Sequence, residues 1–220
     1  MAGHDDNPAA TVDELADARI GWRSAQAPVA GRREITAAAV FLAITAATMS
    51  AVLAGATLEI DDAVLQQFQQ LRTARFDVVV LQVTALGNVT TLVAVAVGLA
   101  IVLRFALNGA DRTTLFIIAN LLGARLVHMV LRAIVDRPRP VPVETVFAVD
   151  SSSFPSGHAM MSMVVYLTFA LLFAEHVAER RPRNALIALA VLLVVAIGMS
   201  RLYLGVHYAS DVVAGLSAGM

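Results

Sequence analysis

From Ile35 to Leu58 the chain runs for 24 residues without a charged side chain. A helix rising about 1.5 Å per residue over that length crosses the roughly 30 Å hydrocarbon layer with tilt to spare. Ala54-Gly55-Ala56 resembles a signal-peptidase site, but the run far exceeds the roughly 7 to 15 residues of a signal h-region, so it reads as a retained anchor. A second uncharged run extends from Val78 to Leu103. Gly87 and Asn88 interrupt it, which predicts a bent entrance and then a span from about Val89 to Phe105. A third span is expected over about Thr113 to Val135, with Arg125 and His128 inside it. A fourth is expected over about Gly157 to His176 and a fifth over about Ala185 to Leu202. The basic stretch Glu179 to Asn184 reads as the loop between those two. A sixth begins near His207, but the 14 residues to Met220 make only about 21 Å of helix. That predicts a sixth helix that is truncated or unusually short.

Hydrophobic residues make up 58% of the chain and mean hydropathy is +0.73, well above the apolar share of ordinary soluble domains. The expected fold is therefore all-α, a polytopic membrane bundle of about six transmembrane helices over residues 35–220. Residues 1–34 read as a polar cytoplasmic tail with one short helix near Val12 to Ile20. Glu59 to Asp77 carries Val64, Leu65, Phe68 and Leu71 at helical spacing, which predicts an amphipathic segment lying on the membrane interface. The 16 basic residues are all arginine, against 17 acidic ones, with no like-charge run suited to a nucleic-acid backbone. Placing the N-terminus inside puts nine of those 16 arginines on the inner side: Arg19, Arg23, Arg32, Arg33, Arg104, Arg112, Arg180, Arg181 and Arg183. With no cysteine there is no disulfide, thiolate nucleophile or thiolate-bound metal.

In that topology the link between spans three and four and the link between five and six share the outer side, and they hold nearly all the polar chemistry. The first contains Arg132, Asp136-Arg137-Pro138-Arg139-Pro140 and then Ser153-Phe154-Pro155-Ser156-Gly157-His158. The second contains Ser200-Arg201, His207 and Asp211. His207 and Asp211 are four apart and on a helix would share a face, the carboxylate holding one ring nitrogen while the other attacks an electrophile. Pro155-Ser156-Gly157 opens a helix whose unpaired N–H groups favour an anion. His158 follows, placed to protonate a leaving oxygen. Arg132, Arg139 and Arg201 offer forked donors suited to phosphate oxygens. Together these residues describe phosphoryl transfer with charge supplied by arginine, without an obligatory metal or cofactor.

The three clusters, Arg132-x6-Arg139-Pro140, Pro155-Ser156-Gly157-His158 and Ser200-Arg201-x5-His207-x3-Asp211, resemble the signature motifs of the type 2 phosphatidic acid phosphatase (PAP2) family in order and spacing. The resemblance covers Arg132 to Asp211 by motif. It implies a phosphohistidine on His207, activation by Asp211, a proton from His158, and phosphate held by Arg132, Arg139, Ser156, Gly157 and Arg201. The family's first motif usually begins with lysine, and Arg132 stands in that place, so the phosphate geometry at that corner is expected to differ.

The function expected is metal-independent dephosphorylation of a lipid phosphate or pyrophosphate at the outer leaflet of a bacterial plasma membrane, with substrate reaching the site sideways from the bilayer. A polyprenyl diphosphate, phosphatidylglycerol phosphate and phosphatidic acid all fit. A lipid phosphotransferase with an alcohol acceptor is the alternative within enzymes, and a transporter lined by buried Arg and His is the alternative outside them. His128 and His176 read as structural, and Arg125 as one half of a buried pair. Arg137 divides evenly between balancing Asp136 and contacting phosphate. Asn88-Val89-Thr90 fits a glycosylation sequon inside an apolar run and is discounted.

Overall fold

The computed structural model describes residues 31–105, 111–140 and 152–220. Contacts divide the chain into residues 1–37 and 38–220, and the site described below lies wholly in the second. The short helix expected near Val12 to Ile20 falls outside the described residues. Among them every regular element is helical: α1 (Arg32–Leu53), α2 (Leu58–Gln70), α3 (Ala74–Ala85), α4 (Val89–Phe105) and α5 (Asp111–Val135). Then follow α6 (Gly157–Ser162), a π-helical turn (Met163–Leu167), α7 (Thr168–Ala174), α8 (Arg180–Tyr203) and α9 (Ala209–Ala218).

Among the described residues four stretches are long and apolar enough to cross a bilayer: Arg32–Leu53, Thr113–Val135, Gly157–Ala174 and Arg180–Tyr203. A fifth is added if Ala74–Ala85 and Val89–Val102 form one span bent by 48°. Gly87 and Asn88 sit in that break, as their interruption of the apolar run predicts. α9, at ten residues, rises only about 15 Å, so as described it is too short for a full crossing. The basic stretch expected to be a loop instead begins α8, with Glu179 as N-cap and Arg180, Arg181 and Pro182 in its first turn. Proline is tolerated there because a first-turn N–H has no intrahelical acceptor to lose.

The stretch from α6 through α7 is the central helix, with half of its apolar window buried against 11% for Thr113–Val135. On one side Leu92, Ala96 and Ile117 from α4 and α5 close on Val165 and Phe169. On the other, Ala159 packs with Leu202 and Val212, and Val64 and Phe68 from α2 lean against that cluster. Of the stretch expected to be amphipathic, Glu59 to Gln70 lies in α2, whose Val64 and Phe68 dock toward α8 and α9, whereas Leu71 is its exposed C-cap and Ala74 begins α3. Large apolar side chains such as Leu42, Leu122 and Leu192 stand about two-thirds or more exposed. A surface so apolar suits acyl chains and would be an association hazard in water.

Candidate active site

α5 stops where Asp136 takes a left-handed conformation (φ 35), a region that aspartate tolerates better than most residues. The chain leaves the helix there without regular structure, and Ser153 ties it to the approach to the second motif: its N–H donates to the Arg137 carbonyl (2.8 Å) and its hydroxyl to the Pro138 carbonyl (3.2 Å). Arg137 and Arg139, two residues apart, both turn inward. Arg139 Nη1 donates to the Val206 carbonyl at 2.8 Å and to His207 Nε2 at 3.1 Å. Its Nη2 reaches the Ser152 carbonyl at 3.4 Å.

His207 and Asp211 do not share a helix face as expected. α8 ends at Tyr203 and Gly205 turns the chain at φ 68, so His207 lies in the connecting turn and Tyr208 caps α9. Asp211, in the first turn of α9, accepts from the Tyr208 N–H through Oδ2 at 2.9 Å. The same oxygen lies 3.5 Å from His207 Nδ1, beyond the usual hydrogen-bond distance, and Nδ1 has no hydrogen-bond partner among the described residues. The i,i+4 spacing still brings the two together, through a cap instead of a helical turn. Because a guanidinium only donates, His207 Nε2 must be the unprotonated acceptor, which leaves the proton on Nδ1 facing Asp211. Burial pushes the His207 pKa down to about 4, assisted by Arg139 and Arg201 and opposed by Asp211, so the ring is neutral at pH 7. Burial also lowers the Arg139 pKa, partly offset by Asp211.

His158 stands in the first turn of α6, within electrostatic reach of Arg201, His207 and Arg139. Its Nε2 donates to Asn88 Oδ1 at 2.9 Å. The bend between α3 and α4 makes this contact possible: a Cβ on Gly87 would lie 2.9 Å from His158 Cδ2 and 2.6 Å from Ile197 Cγ2, so only glycine lets the backbone approach. Arg201, at the end of α8, donates from Nη1 to Thr84 Oγ1 at 2.8 Å. Arg201 Nε and Ser156 Oγ are buried without a hydrogen-bond partner among the described residues. Buried polar groups are normally satisfied, and two such atoms on two of the three motifs suit an anion that accepts from both.

The second and third motifs are locked together. The Ser156 N–H donates to the Asp211 carbonyl at 2.9 Å, and a Cβ on Gly215 would lie 2.6 Å from the Ser156 carbonyl oxygen. His128 supports the loop from beneath, bonded to Arg125 through Nδ1 (3.2 Å) and to the Pro155 carbonyl through Nε2 (3.2 Å). Its Nε2 lies 3.0 Å from where a Gly157 Cβ would be. His128 is buried, in keeping with its structural reading, but Arg125 is exposed and so is not the buried half-pair expected. His176 lies just past the end of α7, its ring bonded to the Leu172 carbonyl at 3.0 Å and its backbone N–H to the Phe173 carbonyl at 2.9 Å.

Arg132 makes no hydrogen bond or ion pair among the described residues, although its charge acts on Arg139. Arg137 follows neither expectation. It is buried and bridges Asp211 Oδ1 (3.0 Å) and Asp61 Oδ2 (2.8 Å), because the left-handed turn leaves Asp136 exposed and swings its neighbour inward. Asp61, Asn88 and Thr84 are site neighbours that the sequence reading missed. Among the described residues no three His, Asp or Glu side chains gather as a metal set would require, and the positive charge at the site is guanidinium.

A family model described as the PAP2 superfamily matches residues 113–220. Phosphatidylglycerophosphatase B from Bacillus subtilis (strain 168) is 36% identical over 97 residues, 44% of this chain and 47% of that protein. A lipid A 1-phosphatase from Rhizobium etli is 45% identical over 67 residues, 30% of this chain and 25% of that one. The matched stretch thus spans less than half of either relative. A crystal structure of a transmembrane PAP2 type phosphatidylglycerolphosphate phosphatase from Bacillus subtilis superposes with a TM-score of 0.77 at 26% identity, covering 83% of this chain and 90% of that one. Aquifex aeolicus LpxE shares the fold at a TM-score of 0.57 and 20% identity, covering 73% and 90%.

Proposed function

We propose that this integral membrane chain, whose residues 113–220 belong to the PAP2 superfamily, is a phosphatase acting on a lipid phosphate or pyrophosphate through a phosphohistidine. The observation that carries the reading is His207: a buried, neutral imidazole with Nε2 unprotonated, beside the Arg139 guanidinium and 3.5 Å from the Asp211 carboxylate. That is the state a nitrogen nucleophile needs. The names of the two matched relatives, both phosphatases of lipids, support a lipid as the substrate class.

In the first step phosphate oxygens take over the donors of Arg139 and Arg201, and the hydrogen bond that occupies the Nε2 lone pair opens. His207 Nε2 forms the bond to phosphorus as the bond from phosphorus to the leaving oxygen breaks. His158 gives that oxygen a proton, so the lipid departs as an alcohol or as a lipid monophosphate. Asp211 stabilises the positive charge that develops on the His207 ring, as a carboxylate does for an imidazolium in hydrolytic triads. In the second step His158 takes a proton from water, the oxygen attacks phosphorus, and the bond to Nε2 breaks to release inorganic phosphate. Ser156, Gly157 and Arg132 complete the phosphate cradle, and the guanidinium donors hold the equatorial oxygens through both steps.

The site is proposed to face the extracytoplasmic side, as the arginine asymmetry of the loops supports. A headgroup arriving sideways from the outer leaflet meets it at the ends of α5, α6 and α8. The test is phosphate release by purified protein in detergent from polyprenyl diphosphate, phosphatidylglycerol phosphate and phosphatidic acid, beside His207→Ala. Release from at least one that the variant abolishes is expected. A phosphorylated alcohol in place of inorganic phosphate would make the protein a phosphotransferase, and lipid movement that survives His207→Ala without release would make it a transporter.

A further inference from the structure

We infer that Asp61 and Arg137 form a positioning relay that sets the orientation of Asp211, and through it the reactive tautomer of His207; the inference rests on the phosphatase reading for its kinetic consequence. Asp61 belongs to α2, a helix outside all three motifs, and is 1% exposed, whereas Asp62 beside it is exposed. Both of its oxygens are engaged. Oδ1 accepts from the Ser210 N–H at 2.9 Å. Oδ2 accepts from the Ser210 hydroxyl at 2.6 Å and from Arg137 Nη2 at 2.8 Å.

Arg137 continues the relay. Its Nη1 donates to the Ser210 hydroxyl (2.7 Å) and to Asp211 Oδ1 (3.0 Å), and its guanidinium lies 4.0 Å from the centre of the Tyr208 ring. The loop that carries His207 is thus fixed at Tyr208, Ser210 and Asp211 by side chains from two distant elements. Burial works against ionisation of Asp61, but the bonds from Ser210 and Arg137 outweigh it and hold its pKa below the usual value. Two buried carboxylates therefore share one guanidinium. Breaking such a set leaves a charge buried and uncompensated, which is far costlier than losing a surface pair.

The arrangement has a consequence for the reaction. Asp211 has two oxygens: Arg137 fixes Oδ1, and Oδ2 is left to the Tyr208 N–H and the His207 ring. Asp61 divides the attention of Arg137, so the guanidinium orients Asp211 without neutralising it alone. Neutralising Asp61 commits Arg137 wholly to Asp211 and weakens the field that Asp211 exerts on His207. Substrate contacts lie on the other side of the ring, at Arg139 and Arg201, so the loss should fall on kcat and not on KM.

The test compares Asp61→Asn, Arg137→Lys and the neighbouring Asp62→Asn in the full chain, with folding checked by monodisperse elution and thermal midpoint. Two readouts are taken: kcat and KM for phosphate release from the best lipid of the panel, and the histidine ring spectrum of ¹⁵N-labelled protein, with His207→Gln identifying the His207 signals. Asp61→Asn should lower kcat about 10- to 100-fold, the range that outer partners of a metal-bound histidine command, with KM within about twofold. Arg137→Lys should retain part of the rate, since it keeps the charge and loses the fork, and it serves if Asp61→Asn fails to fold. Asp62→Asn should match wild type. The ring spectrum should show the Nδ1-protonated tautomer in wild type and a shift away from it in Asp61→Asn or Arg137→Lys. Unchanged kcat in an active preparation, or an unchanged ring spectrum, overturns the inference. If wild type releases no phosphate from any lipid, the phosphatase reading fails and the ring spectrum alone decides the relay.

Discussion

Gly215→Ala separates the geometry of the site from its composition, because it alters no group that touches phosphate. The new Cβ would lie 2.6 Å from the Ser156 carbonyl oxygen, 3.1 Å from Ala159 Cβ and 3.3 Å from the Met160 nitrogen. Ordinary contact begins at about 3.5 Å, so α9 and the start of α6 must part by about 0.9 Å. The obstacle is backbone, which cannot swing aside as a long side chain would. Alanine gains about 1 kcal/mol of helix propensity over glycine. Against it stand overpacking, about 1–3 kcal/mol, and the Ser156 to Asp211 hydrogen bond, about 0.5–1.5 kcal/mol. Stability should therefore fall by at most about 3.5 kcal/mol, and the protein should still fold. Activity should fall far more, since a displacement near 1 Å between reacting groups costs on the order of 100-fold. The assay is phosphate release at saturating lipid beside the thermal midpoint of the same preparation. A folded Gly215→Ala protein with wild-type kcat would refute the claim that contact between α6 and α9 sets the spacing of His158 and His207.

Acid should act late. His207 works as a neutral nucleophile and its pKa is held down to about 4, so kcat/KM should stay level as pH falls through 6.5 and drop only as the ring protonates near 4; a limb at the ordinary histidine pKa would contradict the buried assignment. Folding stability carries the same sign, because the unfolded chain takes up that proton below about 6.5 while the folded chain does not until about 4, so denaturant midpoints should decline across that interval. His158→Ala should slow release from a lipid alkyl ester by about 100- to 10,000-fold, the range for general acids, but slow a nitrophenyl phosphate far less, since that leaving group needs no proton; equal losses on both would remove His158 from the acid role. Activity should persist in EDTA, because Arg139, Arg201 and Arg132 supply the positive charge; complete loss that Mg²⁺ restores would point to metal-assisted transfer.

Much of the helix plan was legible because an uncharged run long enough to cross a bilayer has few other uses. The break at Gly87 and Asn88 showed in the sequence, but its purpose did not: the approach of that backbone to His158 depends on how α3 and α8 pack. Spacing placed His207 beside Asp211 but misassigned the local structure, since a helix and an N-cap turn both bring residues four apart together. Asp61 did leave a signal. It lies three, four and seven residues before Val64, Leu65 and Phe68, in phase with the apolar stripe of α2, while Asp62 does not. An acid on the buried stripe of an amphipathic helix needs a partner, but nothing in one sequence names that partner as Arg137, 76 residues away. That Arg137 and Arg139 both face inward was not legible, because the segment carrying them has no regular period to read.

In this mechanism phosphorus bonds to His207 Nε2. Phosphate-labelled lipid should be mixed with detergent-solubilised protein, quenched within the first turnover into alkaline denaturant, and the protein digested to locate the label. The product should be an acid-labile, alkali-stable phosphoprotein whose label maps to the peptide containing His207, forms in wild type and His158→Ala, and is absent from His207→Gln. Label that persists in His207→Gln, or phosphate release by that variant at the wild-type rate, would contradict it.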